Sequence, residues 1–218
     1  MINADVLDAW FAPAPGVLKA LAASLSRSCD TVGRVWIDET YIDYVGAAEH
    51  SLEQFATASR NVFICKSMSK VYALSGMRAA YLCGPASEIA SLRTITPPWV
   101  IGLPAQVGAV EALRDPQYYA QRYRQTHALR KSLQRSLEGL NVDVVEGCAN
   151  FLLTHLPPDA ASAASIVERC RERGVFIRDA SGMGRSMGDR AIRFAVKAGP
   201  EQRTMLEVFA QAMRVSAR

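Results

Sequence analysis

The segment around Lys70 combines residue types that support covalent and anion-binding chemistry. Ser67 and Ser69 precede the lysine, and Arg78 follows it eight positions later. A lysine amine condenses with an aldehyde to form a Schiff base, which activates the carbon for exchange with a second amine. Serine hydroxyls and a guanidinium can hold a phosphate group, the guanidinium through a bidentate fork. This grouping favours a ligand that carries both an aldehyde and a phosphate.

Asp38 and Tyr41 supply the groups that the ring of such a ligand would need. Asp38 closes an apolar run, and Tyr41 follows it three positions later. An aspartate beside a pyridine nitrogen keeps that nitrogen protonated, so that the ring can act as an electron sink. A tyrosine hydroxyl can donate a hydrogen bond to a ring phenolate oxygen. Together with a lysine amine that can also move a proton, these groups indicate pyridoxal 5'-phosphate.

Apolar runs predict where these residues stand in the fold. Residues 34–38, 61–65 and 79–83 are each typical of a buried strand, and Lys70 lies in a polar connection between the last two. Strands that alternate with helical stretches indicate an α/β structure. Ligands bind beyond the strand ends of such sheets, so we expect Lys70 and Asp38 at one edge.

The second half of the chain predicts a small α+β unit that follows a long helix. Asp115 and Pro116 form a good helix start, and one apolar face continues until Gly139. The other predicted elements are helices at 17–28, 104–113, 160–173 and from 200 onward, and strands at 142–145, 151–154, 175–178 and 192–196, after an irregular stretch at 1–16.

The motifs resemble those of the fold-type I aminotransferases of class I/II, and within them the histidinol-phosphate aminotransferase-like branch. The resemblance runs from about residue 18 to the C-terminus, and residues 150–153, 174–179 and 191–194 are similar to strands of the family's small domain. The motifs near the lysine are Asp38-Glu-x-Tyr41, Ser67-x-Ser69-Lys70 and Ser75-Gly-x-Arg78.

The resemblance implies that Lys70 is the Schiff-base lysine and that pyridoxal 5'-phosphate is the cofactor. It implies that Asp38 partners the pyridine nitrogen and that Tyr41 partners the phenolate oxygen. The implied activity is transfer of an amino group between an amino acid or phosphorylated amine and a 2-oxo acid. Family members are usually homodimers with sites at the subunit interface, so a homodimer is expected.

The resemblance also assigns the anion-binding residues. Ser67, Ser69 and Arg78 are expected to bind the cofactor phosphate. Arg193 is expected to hold the α-carboxylate of the substrate, for which a planar guanidinium is suited. A structural salt bridge is the alternative role for Arg193, because an unpaired guanidinium in an apolar strand would be unfavourable.

The sequence departs from the family pattern before Asp38. Family members carry a long preceding segment with several strands, a phosphate loop of small residues, an aromatic residue stacked on the cofactor and an Asn-Pro turn. None of these is visible in residues 1–37. We therefore expect the C-terminal part of the family's architecture, with residues 1–125 forming a partial, mostly parallel large domain and residues 126–218 a small α+β domain.

Three alternative functions stay open at this point. Ser67-Met-Ser-Lys70 fits the S-x-x-K motif of penicillin-recognising serine enzymes, but the S-D-N and K-T-G strings that this family also needs are absent. A pyridoxal-dependent decarboxylase of the threonine-phosphate type would share the same motifs. A non-catalytic remnant of the fold, acting as an interaction module, is the third alternative, since fold does not fix function.

Composition excludes several other classes. Half of the residues are hydrophobic and 21% are charged, with a net charge of +4, which is typical of a folded protein and gives little support for nucleic-acid binding. The five cysteines form no C-x-x-C pair and the three histidines lack metal spacing, so no metal site is expected. No apolar run approaches the roughly 20 residues that a membrane helix needs. The odd, widely spaced cysteines also argue against a disulfide framework, so a reducing, cytoplasmic location is expected.

Overall fold

The computed structural model describes residues 33–214. The irregular stretch and the helix predicted before residue 29 lie outside the described residues. The described residues form two compact units, residues 33–123 and residues 124–214. The predicted domains, 1–125 and 126–218, include residues outside this range and stay a prediction.

The first unit contains a sheet whose central strand carries the chain toward Lys70. Strand β1 (Val35–Asp38) pairs in parallel with β2 (Val62–Ser67), and β3 (Ala80–Cys83) pairs antiparallel with β2. Asp38 lies opposite Cys65 in this register, so both parallel strands end at the same edge of the sheet. All three predicted strands are therefore present, with bounds shifted by one or two residues.

One face of this sheet is covered and the other carries an aromatic stack. Ile37 and Ile64 pack with Ala56 beneath a short helix on the covered face. On the opposite face the rings of Trp36 and Phe63 stack with their centroids 4.6 Å apart. Alternation of side chains along each strand produces this two-faced arrangement.

Short helices and turns connect the strands of the first unit. A 3-10 turn at Ser75–Met77 lies between β2 and β3, and another at Ile42–Tyr44 follows β1. The α-helices are α1 (Ala47–His50), α2 (Glu53–Ala58), α3 (Met68–Val71), α4 (Ala86–Ile95) and α5 (Leu103–Arg114).

Helix α3 was not predicted: the sequence placed Lys70 in a polar connection between two strands, and a short helix forms at the start of that connection. Ser67 ends β2 with extended backbone angles, and its side chain accepts a hydrogen bond from the Ser69 amide. A serine in this position caps a helix start, which explains why a turn of helix forms directly after the strand. The lysine therefore stands on a short capped helix.

Apolar side chains are exposed on and before α5. Trp99 is 89% exposed, Ile95 is 77% exposed and Leu103 is 71% exposed. Further along α5, Val107 and Leu113 also expose more than half of their surface. Exposed apolar residues that follow one another in this way are typical of an interaction surface.

The second unit is an antiparallel sheet covered by helices. Helix α6 (Pro116–Glu138) enters this unit at residue 124. The strand order is β4-β5-β7-β6, and every pairing is antiparallel. The further elements are β4 (Asp143–Val145), β5 (Phe151–His155), α7 (Ala163–Arg171), β6 (Arg178–Asp179), β7 (Ala191–Ala195) and α8 (Gly199–Arg214), with 3-10 turns at Ser181–Met183 and Arg185–Met187.

The strand predicted at 175–178 is wrong at its start, because the observed strand β6 begins only at Arg178. The chain leaves α7 through Gly174, whose φ is +77°, a conformation that favours glycine. The Val175 amide then donates to the Cys170 carbonyl at 3.0 Å, which closes the end of the helix. Because this amide is used in the helix terminus, the ladder begins only at Arg178.

The core of the second unit is formed by its sheet and by helices α6, α7 and α8. Phe194 from β7 and Phe209 from α8 are fully buried and meet edge to face, with ring centroids 4.9 Å apart. Leu152 of β5 and Ile166 of α7 belong to the same cluster.

Among residues 33–214, no helix combines the length and the apolar character needed to cross a membrane.

Replacing Phe209 with alanine should destabilise the protein strongly. The substitution removes a buried ring and leaves a cavity, so we expect the free energy of unfolding to fall by about 3–5 kcal/mol. Phe176→Ala is the matched control, because Phe176 is 78% exposed and its loss should change stability by less than about 0.5 kcal/mol. Urea unfolding followed by circular dichroism measures both values, and similar losses in the two variants would contradict this account of the core.

Candidate functional site

The parallel strands bring Asp38 and the Lys70 segment to one edge of the first sheet. The Thr40 amide donates to Asp38 Oδ1 at 2.8 Å, and the Thr40 hydroxyl donates to the same oxygen. The Ser67 amide in turn donates to Thr40 Oγ1 at 3.4 Å. Thr40 therefore links the end of β1 to the end of β2, and it holds the Asp38 carboxylate beside the start of α3.

Lys70 points its side chain outward from α3. Its neighbour Ser69 is buried, whereas Lys70 is exposed and makes no ion pair with any residue in the range 33–214. Ser75 Oγ donates to the Ser69 carbonyl at 2.9 Å, which ties α3 to the following 3-10 turn. The amine is thus accessible, while the backbone that carries it is held on both sides.

Arg78 directly follows that 3-10 turn in a left-handed conformation. Its φ is +55° and its side chain is exposed. The guanidinium lies 3.5 Å from the Ser75 carbonyl, a long contact that leaves its other donors available. Left-handed backbone is uncommon for a residue with a side chain, and such positions concentrate at functional sites.

Tyr41 is half-buried and stands directly before the 3-10 turn at Ile42–Tyr44. Its carbonyl accepts a hydrogen bond from the Tyr44 amide at 3.1 Å, which starts this turn. The structure therefore places Asp38, Tyr41, Ser67, Ser69, Lys70 and Arg78 within the same unit, on β1, β2, α3 and the turns that follow them.

A buried ion network lies beneath this edge, and the motifs did not reveal it. Lys66 and Glu39 are each 5% exposed, and Lys66 Nζ lies 3.7 Å from Glu39 Oε2 and 3.0 Å from Glu53 Oε1. Glu39 also accepts hydrogen bonds from Ser51 Oγ and the Leu52 amide, each at 2.7 Å. The network therefore fixes the residue after Asp38 to the strand that leads to Lys70.

Tyr81 completes the network from β3. Its hydroxyl donates to Glu53 Oε1 at 2.7 Å. Burial raises the pKa of Glu53, but the hydrogen bonds from Tyr81 and Lys66 outweigh it and lower that pKa overall. Burial and the hydrogen bond to Glu53 raise the pKa of Tyr81, so its hydroxyl stays a donor. A lysine in an otherwise apolar strand was the one signal in the sequence for this network.

Arg193 lies in the second unit, at the centre of β7. It stands opposite Leu153 of β5 on one side and Arg178 of β6 on the other. Its guanidinium lies 5.2 Å from the centroid of the Phe151 ring, a cation–π distance. Arg193 is therefore on the face opposite Ile192 and away from the main core, and two arginines occupy directly paired positions on that face.

Comparison with known proteins identifies the family. The family described as aminotransferase class I and II matches residues 21–212, and the chain belongs to this family. The histidinol-phosphate aminotransferase of Methanocella arvoryzae is 30% identical over 196 residues, which are 90% of this chain and 52% of that protein. The resemblance that the motifs predicted is thus confirmed.

Solved structures show the same fold. The histidinol-phosphate aminotransferase of Sinorhizobium meliloti, in complex with pyridoxal-5'-phosphate, matches with a TM-score of 0.80 at 21% identity, over 94% of this chain and 54% of that one. L-threonine-O-3-phosphate decarboxylase of Porphyromonas gingivalis matches with a TM-score of 0.71 at 18% identity, over 88% of this chain and 58% of that one. The predicted fold class is confirmed, and the chain spans about half the length of these relatives.

Replacing Lys66 with methionine should destabilise the first unit. The substitution leaves the Glu39 carboxylate buried without a cation, so we expect the free energy of unfolding to fall by about 3 kcal/mol. Arg114→Met is the matched control, because Arg114 and its partner Glu111 are both mostly exposed and their ion pair contributes less than about 1 kcal/mol. Urea unfolding tests the difference, and an equal effect of the two substitutions would argue against a structural role for Lys66.

Proposed function

We propose that this chain belongs to a pyridoxal 5'-phosphate-dependent aminotransferase that moves an amino group between an amino acid or phosphorylated amine and a 2-oxo acid. One observation carries the proposal: an exposed carboxylate ends β1 (Asp38), an exposed lysine amine stands on the helix directly after the paired strand β2 (Lys70), and an exposed guanidinium follows the next turn (Arg78). These are the donor and acceptor types that the cofactor's aldehyde, ring nitrogen and phosphate require.

The residues at the sheet edge have separate roles in this proposal. When bound, the cofactor supplies an electron sink that weakens bonds to the substrate's α-carbon. Lys70 provides the amine that anchors the cofactor, and that amine can afterwards carry a proton to or from the substrate. Asp38, with Oδ1 held by Thr40, presents its other oxygen to the ring nitrogen. Tyr41 donates to the phenolate oxygen.

The phosphate is assigned to the residues around α3. Ser67 and Ser69 lie at the start of the helix, and Arg78 lies after the following turn. The Arg78 guanidinium is exposed, so a phosphate can accept hydrogen bonds from two of its donors. In this proposal the phosphate neutralises Arg78, while Ser67 keeps its capping contact with the Ser69 amide.

Arg193 and Arg178 support an anionic substrate. They occupy paired positions of β6 and β7, so two positively charged side chains lie on one sheet face of the second unit. Arg193 holds the substrate's α-carboxylate in this proposal, and a second anionic group would suit Arg178. The relative from Methanocella arvoryzae is named for a phosphorylated substrate, which agrees with a phosphorylated amine as one of the two amino donors.

Transamination is favoured over decarboxylation by the comparisons. The relative at 30% identity is an aminotransferase. The phosphothreonine decarboxylase is only 18% identical, a level at which the likeness concerns the fold alone. Release of carbon dioxide from an amino acid substrate, without transfer of its amino group, would reverse this choice.

The proposal includes a homodimer in the cytoplasm. The exposed apolar residues on and before α5, with Trp99 at 89% exposure, offer a surface that a second subunit would cover. Light scattering at several protein concentrations measures this assembly directly.

Covalent attachment of the cofactor should depend on Lys70. After incubation with pyridoxal phosphate and reduction with borohydride, we expect mass spectrometry to find the added mass on Lys70. Lys70→Ala should lose this modification, because Lys66, the other lysine among residues 33–123, is buried and paired with Glu39 and Glu53. The control Lys131→Ala removes an exposed lysine from α6 and should leave the modification unchanged.

Modification that persists undiminished in Lys70→Ala would contradict the assignment. An unmodified wild-type chain under the same conditions would instead favour the non-catalytic remnant.

Removing the Arg193 guanidinium should affect only substrates that carry a carboxylate. In Arg193→Gln we expect the amino acid concentration needed for half-maximal amino transfer to rise about 10- to 100-fold, the effect of losing a hydrogen-bonded charge partner. An amine without a carboxylate should react as it does with the wild type. Arg203→Gln, an exposed position on α8, is the control, and a similar rise for both substrate types would point to the structural alternative.

A further inference from the structure

The backbone around Lys70 has all of its carbonyl groups engaged, from residue 68 to residue 72. A helix as short as α3 leaves its last carbonyls without partners inside the helix. The Met68 carbonyl accepts from the amides of Tyr72 and Leu74 at 3.2 and 3.3 Å. Ser75 Oγ donates to the Ser69 carbonyl at 2.9 Å. The next three carbonyls each face a tyrosine hydroxyl.

These three tyrosines come from distant parts of the first unit. Tyr44 belongs to the 3-10 turn after β1, whereas Tyr119 and Tyr123 lie on the first two turns of α6. We call them the tyrosine clamp. The donor–acceptor contacts are Tyr44 to the Lys70 carbonyl at 3.4 Å, Tyr123 to the Val71 carbonyl at 3.1 Å and Tyr119 to the Tyr72 carbonyl at 3.5 Å.

Ring packing holds the clamp together. The rings of Tyr44 and Tyr123 lie 5.1 Å apart, and Tyr119 meets the Tyr72 ring edge to face at 4.9 Å. Aromatic pairs at these distances add to the stability given by burial. The hydroxyls are therefore aimed by packed rings, so that three long-range contacts converge on one short helix.

The clamp hydroxyls stay protonated. Burial raises the pKa of Tyr44 to about 12, and it raises the pKa of Tyr123 as well. Burial also raises the pKa of Tyr119. A phenolate could only accept hydrogen bonds, whereas a neutral phenol can donate to a carbonyl. Each member therefore remains a donor throughout the neutral pH range.

We propose that the tyrosine clamp positions Lys70 by fixing the backbone of α3, and that Tyr123 is its principal member. The Lys70 side chain is exposed, so the backbone of α3 sets the position from which that side chain extends. Tyr123 makes the shortest of the three contacts and touches the ring of Tyr44. The inference rests on the proposed function, because it assigns these tyrosines to the lysine that holds the cofactor.

The test compares Tyr123→Phe with Tyr118→Phe. The first substitution removes the donating hydroxyl and keeps the ring. The second changes a neighbouring tyrosine on the same helix that is 45% exposed and meets the Tyr119 ring edge to face, with ring centroids 5.1 Å apart. The first readout is hydrogen exchange of the amides of residues 68–74 in the full chain without cofactor. The second is the pyridoxal phosphate concentration that gives half-maximal attachment to Lys70.

We expect Tyr123→Phe to raise exchange at residues 68–74 roughly fivefold, the factor produced by losing one hydrogen bond, and to weaken attachment by a similar factor. Tyr119→Phe should have a smaller effect, because its contact is longer. Tyr118→Phe should match the wild type. This graded order, confined to one segment, would not arise from a general loss of stability.

Two results would overturn the proposal. In the first, Tyr123→Phe shows the same hydrogen exchange and the same pyridoxal phosphate attachment as the wild type. In the second, Tyr123→Phe exchanges faster, but the increase is spread evenly over residues 33–123. If the wild-type chain attaches no pyridoxal phosphate, the proposed function fails, and so does the link between the clamp and the cofactor. Faster exchange limited to residues 68–74 would then support the clamp only as the anchor of α3.

Discussion

The parallel pairing of β1 with β2 is the constraint on which the site depends. Parallel strands end at the same edge of a sheet, so Asp38 and Ser67 become neighbours although they are far apart in sequence. Thr40 bridges the two ends by hydrogen bonds. A shift of one residue in this register would turn Asp38 toward the opposite face of the sheet and separate it from Lys70.

Support beneath the edge comes from two groups of side chains with different chemistry. The ion network of Glu39, Lys66 and Glu53 ties the loop after β1 to β2 and α2. The tyrosine clamp ties α3 to the turn after β1 and to α6. The first group consists of buried ion pairs, and the second consists of packed tyrosine rings whose hydroxyls contact backbone carbonyls. Together they hold the backbone that carries Lys70, while its amine stays exposed.

Sequence predicted the strands, the family and the order of the motifs, because each depends on local pattern. Apolar runs marked β1 and β2, and the Ser67–Arg78 spacing marked the lysine segment. The sequence did not predict α3, because its helical turn depends on a single capping contact of Ser67 within a polar segment. It also did not predict that β6 begins only after the chain has left α7 through Gly174. The clamp and the ion network were also missed, because their members meet only after distant segments fold.

The two lysines on either side of the β2–α3 junction have opposite surroundings. Lys66 is 5% exposed and paired with carboxylates, whereas Lys70, four residues later, is exposed. Only an amine that the carbonyl compound can reach attacks it, so burial shields Lys66 from condensation. A plain reactive aldehyde, with neither ring nor phosphate, would therefore distinguish these two amines by access alone. The fold therefore already directs an aldehyde to Lys70 rather than to Lys66 before any contact with the ring or the phosphate of a ligand is made.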